Sequence, residues 1–204
     1  MKLLWSSRSP FARKVMVAAH ELGLAERIET ERVVVDSVNP NRDVMRLNPL
    51  SKIPTLLLDD GSVLFDSRVI VEYLAETAGD ATLIPQGAAR WPVLRRQALG
   101  DGVMEADLRW IDERNRAAAV QLPAQIEASR AKINSGLDAL EADAGLSSRE
   151  RADVGCVAIG SALAHLDFRF GELEWRRARP RLAVWFETFS QRPSMIATAF
   201  TDHY

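Results

Sequence analysis

The chain has 204 residues, 47% of them apolar and 26% charged, a balance that suits one large folded domain or two modest ones and excludes disordered and fibrous classes. Its formal net charge of -2, with Lys and Arg spread along the chain, excludes the electrostatic footprint of a binder of nucleic acid or anionic membrane. No window reaches the roughly 18 apolar residues of a spanning helix, and the opening Met-Lys-Leu-Leu-Trp-Ser-Ser is too short for a secretory apolar region, so the expected location is the cytoplasm.

Residues 2–5 are a short apolar run that reads as a buried strand, and Ser6-Ser7-Arg8-Ser9-Pro10 announces a helix with Ser9 at the N-cap and Pro10 in the first turn. That helix is predicted over 11–22, stopped by Gly23. A second strand is expected over 27–35, which carries the β-branched run Val33-Val34-Val35, and Asn39-Pro40-Asn41 breaks the pattern. A short helix around 42–47 leads through Asn48-Pro49-Leu50-Ser51-Lys52-Ile53-Pro54 into a strand at 55–58. Asp59-Asp60-Gly61 then turns the chain back along 62–65 as a hairpin. Asp66-Ser67 opens a helix over 68–77, with Val69, Ile70, Tyr73 and Leu74 at helical spacing and Gly79 at its end.

Beyond a linker at 79–87 the strand signals stop. Helices are predicted over 90–116, 123–143, 153–170 and 180–191, with a last turn after Pro193, so the fold class is α/β followed by all-α. Gly100 and Gly102 inside the first of these lower helix propensity and point to a bend or a close approach of another element.

One cysteine, Cys156, permits no intrachain disulfide and suits a reducing compartment; in its apolar helical stretch it reads as a core residue. His20, His165 and His203 lack ligand-like spacing, so no metal is expected, and His20 on the first helix reads as structural.

Ser9-Pro10-Phe11-Ala12 has the shape of a Cys-Pro-aromatic-Cys redox turn with both sulfurs gone. A helix N-terminus favours negative charge, so what remains is a hydroxyl where an anionic sulfur would be welcome, and the sulfur should arrive on the ligand. Serine at this position is equally an ordinary N-cap.

Here the chain resembles the glutathione S-transferase family over essentially its whole length, as a serine-type, bacterial-like cytosolic member. The resemblance rests on Ser9-Pro10-Phe11 with Arg13-Lys14, on Asn48 to Pro54, and on Phe65-Asp66-Ser67-Arg68-Val69-Ile70 running to Glu72-Tyr73-Leu74. It implies a thioredoxin-like glutathione-binding domain over 1–78 and an all-helical domain over 88–204 with the second-substrate pocket. It also implies glutathione as co-substrate, a small, mostly apolar electrophile as the second substrate, and a homodimer.

Carried onto this sequence, the resemblance makes Ser9 the catalytic residue, with Phe11 beside it. A free thiol has a pKa of about 8.5, and lowering that by about 2 takes about 2.7 kcal/mol. A hydrogen bond to a charged group supplies roughly 1.5–3 kcal/mol and a helix N-terminus about 0.3–1, which is sufficient. Ile53-Pro54 resembles the family's cis-proline turn, leaving Ile53 to pair through its backbone with the cysteinyl unit; the alternative is a trans proline starting a strand. Lys52 would meet the glycyl carboxylate or stay solvated. Ser67 would hold the γ-glutamyl carboxylate and Asp66 its ammonium, or both would serve as plain caps.

Met104, Leu108 and Ile111 share one helix face that borders the second-substrate pocket in the family, a stripe that also suits a core. Asp153 matches the acid of a family capping box whose expected Ser or Thr is Glu150 here, and Arg192-Pro193-Ser194 is similar to the family's ending. A glutathione-dependent disulfide reductase or isomerase, and a non-catalytic glutathione-binding stress adaptor, would use the same fold.

Overall fold

The computed structural model describes residues 1–143, 145–146 and 152–202; Glu150 and His203, singled out in the sequence, lie outside them. The first part is a four-stranded sheet in the order β2-β1-β3-β4, built from β1 (Lys2–Trp5), β2 (Glu29–Arg32), β3 (Thr55–Leu57) and β4 (Val63–Leu64). β1 and β2 run parallel through the crossover helix α1 (Pro10–Glu21), while β3 is antiparallel to both β1 and β4. Leu3 and Leu56, opposite each other in the register, are fully buried.

β2 differs from expectation. It ends at Arg32, before the valine run, because its only neighbour β1 ends at Trp5; the last bond of the pair is Val33 N–H to the Trp5 carbonyl at 3.0 Å. β2 is an edge strand with all four residues exposed, and Lys2 reaches Glu31 at 3.2 Å and Glu29 at 3.6 Å along it. Such charge blunts an edge.

A short helix, α2 (Arg42–Met45), is capped by the Asn41 side chain and precedes β3. The hairpin turn closes with Leu58 N–H to Ser62 O at 2.8 Å and Gly61 N–H to Leu58 O at 3.0 Å. α3 (Ser67–Ala78) is capped by Asp66 and stopped at Gly79, whose φ of 64° is left-handed and costs a glycine little.

The rest is helical: α4 (Arg90–Arg114), α5 (Pro123–Glu141), α6 (Val154–Arg169), α7 (Pro180–Ser190) and α8 (Pro193–Ala197). α6 is apolar all round and buried from Val154 to Leu163, as befits a central helix that α1, α4 and α7 surround. Gly100 explains how close α4 comes: a Cβ there would sit 2.7 Å from the Ala158 backbone carbon of α6. Gly102 faces open space, so the expectation of close packing holds for Gly100 and not for Gly102.

Asp153 is itself the N-cap of α6, correcting its reading as the inner acid of a capping box. Its Oδ1 accepts from Cys156 N–H at 2.9 Å, and Arg96 of α4 donates to its Oδ2 at 3.2 Å.

Candidate functional site

The sheet register gathers the three sequence signals. Leu4 of β1 pairs with Thr55 and Leu56 of β3 pairs with Leu64 of β4, so the exit of β1, the entry of β3 and the exit of β4 share one end of the sheet. Ile53-Pro54 immediately precedes β3, Asp66-Ser67 lies just past β4, and Ser9 closes the loop that leaves β1. The N-termini of α1 and α3 open at the same place, giving it two positive helix ends.

Ser9 is half-buried, with its N–H bonded to Ser6 O at 3.0 Å. Its Oγ accepts from Ala12 N–H at 3.2 Å, so the cap uses an oxygen lone pair and leaves the hydroxyl proton to be donated elsewhere. The capping role and a donor role are therefore compatible. Phe11 is half-buried one residue inside the helix.

The Ile53-Pro54 peptide bond is cis, as is Phe65-Asp66. The Pro54 turn is held from behind by buried Asn48, whose Nδ2 donates to Lys52 O and to Thr55 Oγ1, each at 3.0 Å. Ile53 itself takes part in no turn or loop backbone bond among the described residues. Lys52 is exposed. Asp66 is exposed and accepts from Arg68 N–H at 2.9 Å, whereas Ser67 is buried and its hydroxyl makes no hydrogen bond among the described residues.

One ionic cluster behind this end escaped sequence reasoning. Lys14 of α1 has no exposed side-chain surface, and its Nζ lies 2.7 Å from Oδ1 of Asp101 on α4, which is 1% exposed. Arg68 of α3 reaches the other oxygen of Asp101 at 2.7 Å. One carboxylate of the helical part thus ties together the helices that Ser9 and Asp66 cap. Burial pulls the Lys14 ammonium below its usual value, opposed by the charge and hydrogen bond of Asp101. The Arg13-Lys14 pair was legible in sequence; its partner 87 residues away was not.

The proposed second-substrate face divides. Met104 is fully buried in the core and presents no surface to a ligand, a correction to its place in that stripe; Leu108 and Ile111 are half-buried. The core explanation holds for Met104, which lies on the buried side of α4 with Asp101, Val103 and Asp107. A concavity of about 480 Å³ lies elsewhere, near the start of α4, lined by residues such as Pro85, Pro92, Arg96 and Asp153 and by none of the candidate residues.

Two other groups lie off the site. Burial pushes the Cys156 thiol up to about 12, so the sole sulfhydryl is not a nucleophile at neutral pH. Buried His165 Nδ1 meets Asp107 Oδ2 at 2.8 Å between α6 and α4, while His20 sits in the last turn of α1. Among the described residues no group of three metal-ligating side chains occurs, and no helix is long and apolar enough to cross a membrane.

The fold recurs in known proteins. The model of the glutathione S-transferase N-terminal domain matches residues 8–77. The uncharacterized GST-like protein YibF of Escherichia coli K12 is 32% identical over 201 residues, covering 97% of this chain and 98% of its own. A glutathione transferase family member from Pseudomonas fluorescens Pf-5, solved with bound glutathione, is similar at a TM-score of 0.94 and 41% identity over 98% of each chain. A second structure from that organism, with bound S-(propanoic acid)-glutathione, is similar at a TM-score of 0.89 and 40% identity over 98% of this chain and 100% of its own. Part of the chain is also 33% identical to a stringent starvation protein A homologue of Histophilus somni, over 57% of this chain and 55% of that one. The chain belongs to the glutathione S-transferase family, with its thioredoxin-like sheet followed by an all-helical part.

Proposed function

We propose that this protein is a glutathione transferase, in which Ser9 stabilises the thiolate of bound glutathione for attack on a small electrophile with a mostly apolar body. The observation that carries this reading is the geometry of Ser9. Its oxygen is held by Ala12 N–H, its proton is uncommitted, and it sits at the positive end of α1 beside a cis-proline turn. Glutathione in two structures of one relative about 40% identical, once free and once joined through its sulfur to a propanoic acid group, supports binding and reaction at the thiol.

In this reading the Ile53 backbone pairs with the cysteinyl unit, Lys52 meets the glycyl carboxylate, and Phe11 walls the pocket. The Ser67 hydroxyl and N–H receive the γ-glutamyl carboxylate while Asp66 faces its ammonium. Glutathione contributes the nucleophile, and Ser9 with the α1 N-terminus lowers the thiol pKa so that the sulfur is charged before the electrophile arrives. Leu108 and Ile111 border the electrophile. A homodimer in the cytoplasm completes the proposal, with residues 1–78 binding glutathione and 88–204 supplying the second pocket.

A self-sufficient disulfide reductase is disfavoured by Ser9 and Ala12 and by the buried Cys156. The likeness to a stringent starvation protein A homologue favours one second reading, a non-catalytic adaptor on the same fold. Mixing the purified protein with glutathione at pH 7 and recording thiolate absorbance in the ultraviolet separates them. The transferase reading predicts thiolate formation, saturable with glutathione, and conjugation of an aryl halide; binding without thiolate would favour the adaptor.

A further inference from the structure

Ser9 closes a turn whose two corner residues are both held by a segment 194 positions further along the chain. Ser9 N–H donates to Ser6 O at 3.0 Å, so Ser6 to Ser9 form a β-turn with Ser7 and Arg8 at the corners. The peptide unit between the corners has two orientations, which distinguish type I from type II turns. Type II needs a positive φ at the second corner, and Arg8 does not have one, so that form is excluded. The carbonyl of this peptide unit, Ser7 O, accepts from Thr201 N–H at 3.4 Å, and Ser7 Oγ–H donates to Thr201 O at 3.1 Å. Arg8 places Nε 2.9 Å from Asp202 Oδ1 and donates through Nη2 to Asp202 O at 3.2 Å.

The segment that holds the turn is itself anchored. The half-buried Phe200 ring stacks on Phe168 of α6, with centroids 5.2 Å apart and 11° between the planes, and meets the ring of buried His165 edge-on at 5.1 Å. The Arg13 guanidinium, from the first turns of α1, lies 4.4 Å from the centroid of the same ring. Arg13 is 7% exposed and is fixed in turn by Nη2 on Met195 O at 2.9 Å and Nε on Thr198 Oγ1 at 3.4 Å. Arg169 of α6 adds a contact to Asp202 Oδ1 at 3.3 Å. The bonds to Ser7 and Arg8 lie at the surface, where water competes for them, whereas stacked rings and a desolvated guanidinium over a ring hold without that competition. Phe200 therefore decides whether the grip on the turn lasts.

We propose that residues 198–202 are a positioning strap for the loop that carries Ser9: Phe200 anchors the strap, Thr201 fixes the Ser7 peptide, and the two set where the Ser9 hydroxyl stands relative to the sulfur. The inference rests on the transferase reading and adds positioning residues to that same site. Neither Phe200 nor Thr201 touches the sulfur; both act through Ser9. The bond from Ala12 N–H to Ser9 Oγ fixes the serine from the helix side, and the strap fixes it from the turn side. A hydrogen bond weakens steeply with misalignment, and a misplacement of about 1 Å costs on the order of 100-fold in rate. Ile53-Pro54 and Asp66-Ser67 stand on other elements, so the grip on the tripeptide backbone is independent of the strap.

The test uses the full chain, spectroscopic titration of bound glutathione and turnover of an aryl halide. Phe200→Ala should raise the pKa of the bound thiol by about 0.5–1, which lowers kcat at pH 6.5 by about 3–10-fold. Affinity for S-methylglutathione, which carries no thiol proton, should stay at the wild-type value, a separation that a loss of fold alone would not produce. Phe200→Tyr keeps the ring and should match wild type. Ser7→Ala removes one exposed hydrogen bond and should raise the thiol pKa by a smaller amount. If wild type forms thiolate and Phe200→Ala leaves its pKa unchanged, or Phe200→Tyr raises it as much as Phe200→Ala, the strap is overturned and the transferase reading stands. Should Phe200→Ala fail to fold, Ser7→Ala decides by the same titration, a rise supporting the strap and an unchanged value overturning it. If wild type forms no thiolate, both fall.

Discussion

Asp101→Asn is the substitution that most directly probes how the two parts of the molecule are joined. In the native chain the Lys14 ammonium is fully buried 2.7 Å from a carboxylate that is 1% exposed, so the pair is shielded from water on both sides. Removing one partner of such a buried pair leaves a charge uncompensated and costs about 3–5 kcal/mol. The Arg68 contact adds no more than about 1 kcal/mol, because that side chain is 51% exposed and regains water. For a chain of this length each kcal/mol moves Tm by about 2–4 °C, so a fall of about 6–20 °C is expected in thermal unfolding followed by circular dichroism.

Burial already holds the Lys14 pKa below its usual 10.5, and removing Asp101 lowers it further. The unfolded variant then binds a proton the folded one lacks, so its stability should rise with pH through the alkaline range towards 10.5. Lys14→Met combined with Asp101→Asn removes the stranded charge and should recover more than half of the loss, a coupling readable in a double-mutant cycle. A single-variant loss below about 1 kcal/mol, as for an exposed pair, or strict additivity in the cycle would refute the buried-pair reasoning.

The remaining predictions use other parts of the fold. Gly100→Ala should lose about 1–3 kcal/mol in urea unfolding because its Cβ meets the α6 backbone, while Gly102→Ala, facing open space, should gain about 0.8–1 kcal/mol from helix propensity. Burial would push the Glu21 carboxyl up, but hydrogen bonds from Arg192 and Ser194 outweigh it and hold the carboxyl below 4.5. That clamp between α1 and α8 is intact above 4.5 and is lost as pH falls through the lower folded value, so Glu21→Gln should flatten the stability profile measured between pH 5 and pH 2. With its thiol pushed up to about 12, Cys156 should resist a thiol-reactive dye at pH 8 in the folded protein and react at once in denaturant.

The elements whose signals are local were legible in the sequence. Ser9-Pro10 and Asp66-Ser67 mark helix starts because a cap needs only the residues of its own first turn, and both helices begin where those residues stand. The Val33-Val34-Val35 run misled because strand length is set by the partner strand, and β1 stops at Trp5. Asp153, matched in the sequence to the acid of a capping box, is the cap itself, and Arg96, its charge partner, comes from α4 57 positions earlier. The Lys14-Asp101-Arg68 cluster and the Arg8-Asp202-Arg169 contacts join segments that only the folded chain brings together, so no spacing rule finds them. Met104 shares a helix face with Leu108 and Ile111, yet periodicity cannot tell a face that meets a ligand from one that meets the core.

The account turns on one proton, the Ser9 hydroxyl hydrogen directed at a sulfur anion. Spectroscopic titration of glutathione bound to wild type, Ser9→Thr and Ser9→Ala measures it, with the threonine variant retaining both cap and hydroxyl. A hydrogen bond to a charged group of about 1.5–3 kcal/mol corresponds to a rise of about 1–2 in the bound thiol pKa for Ser9→Ala, with Ser9→Thr close to wild type. Equal thiol pKa values in wild type and Ser9→Ala, with glutathione bound to both, would contradict the account.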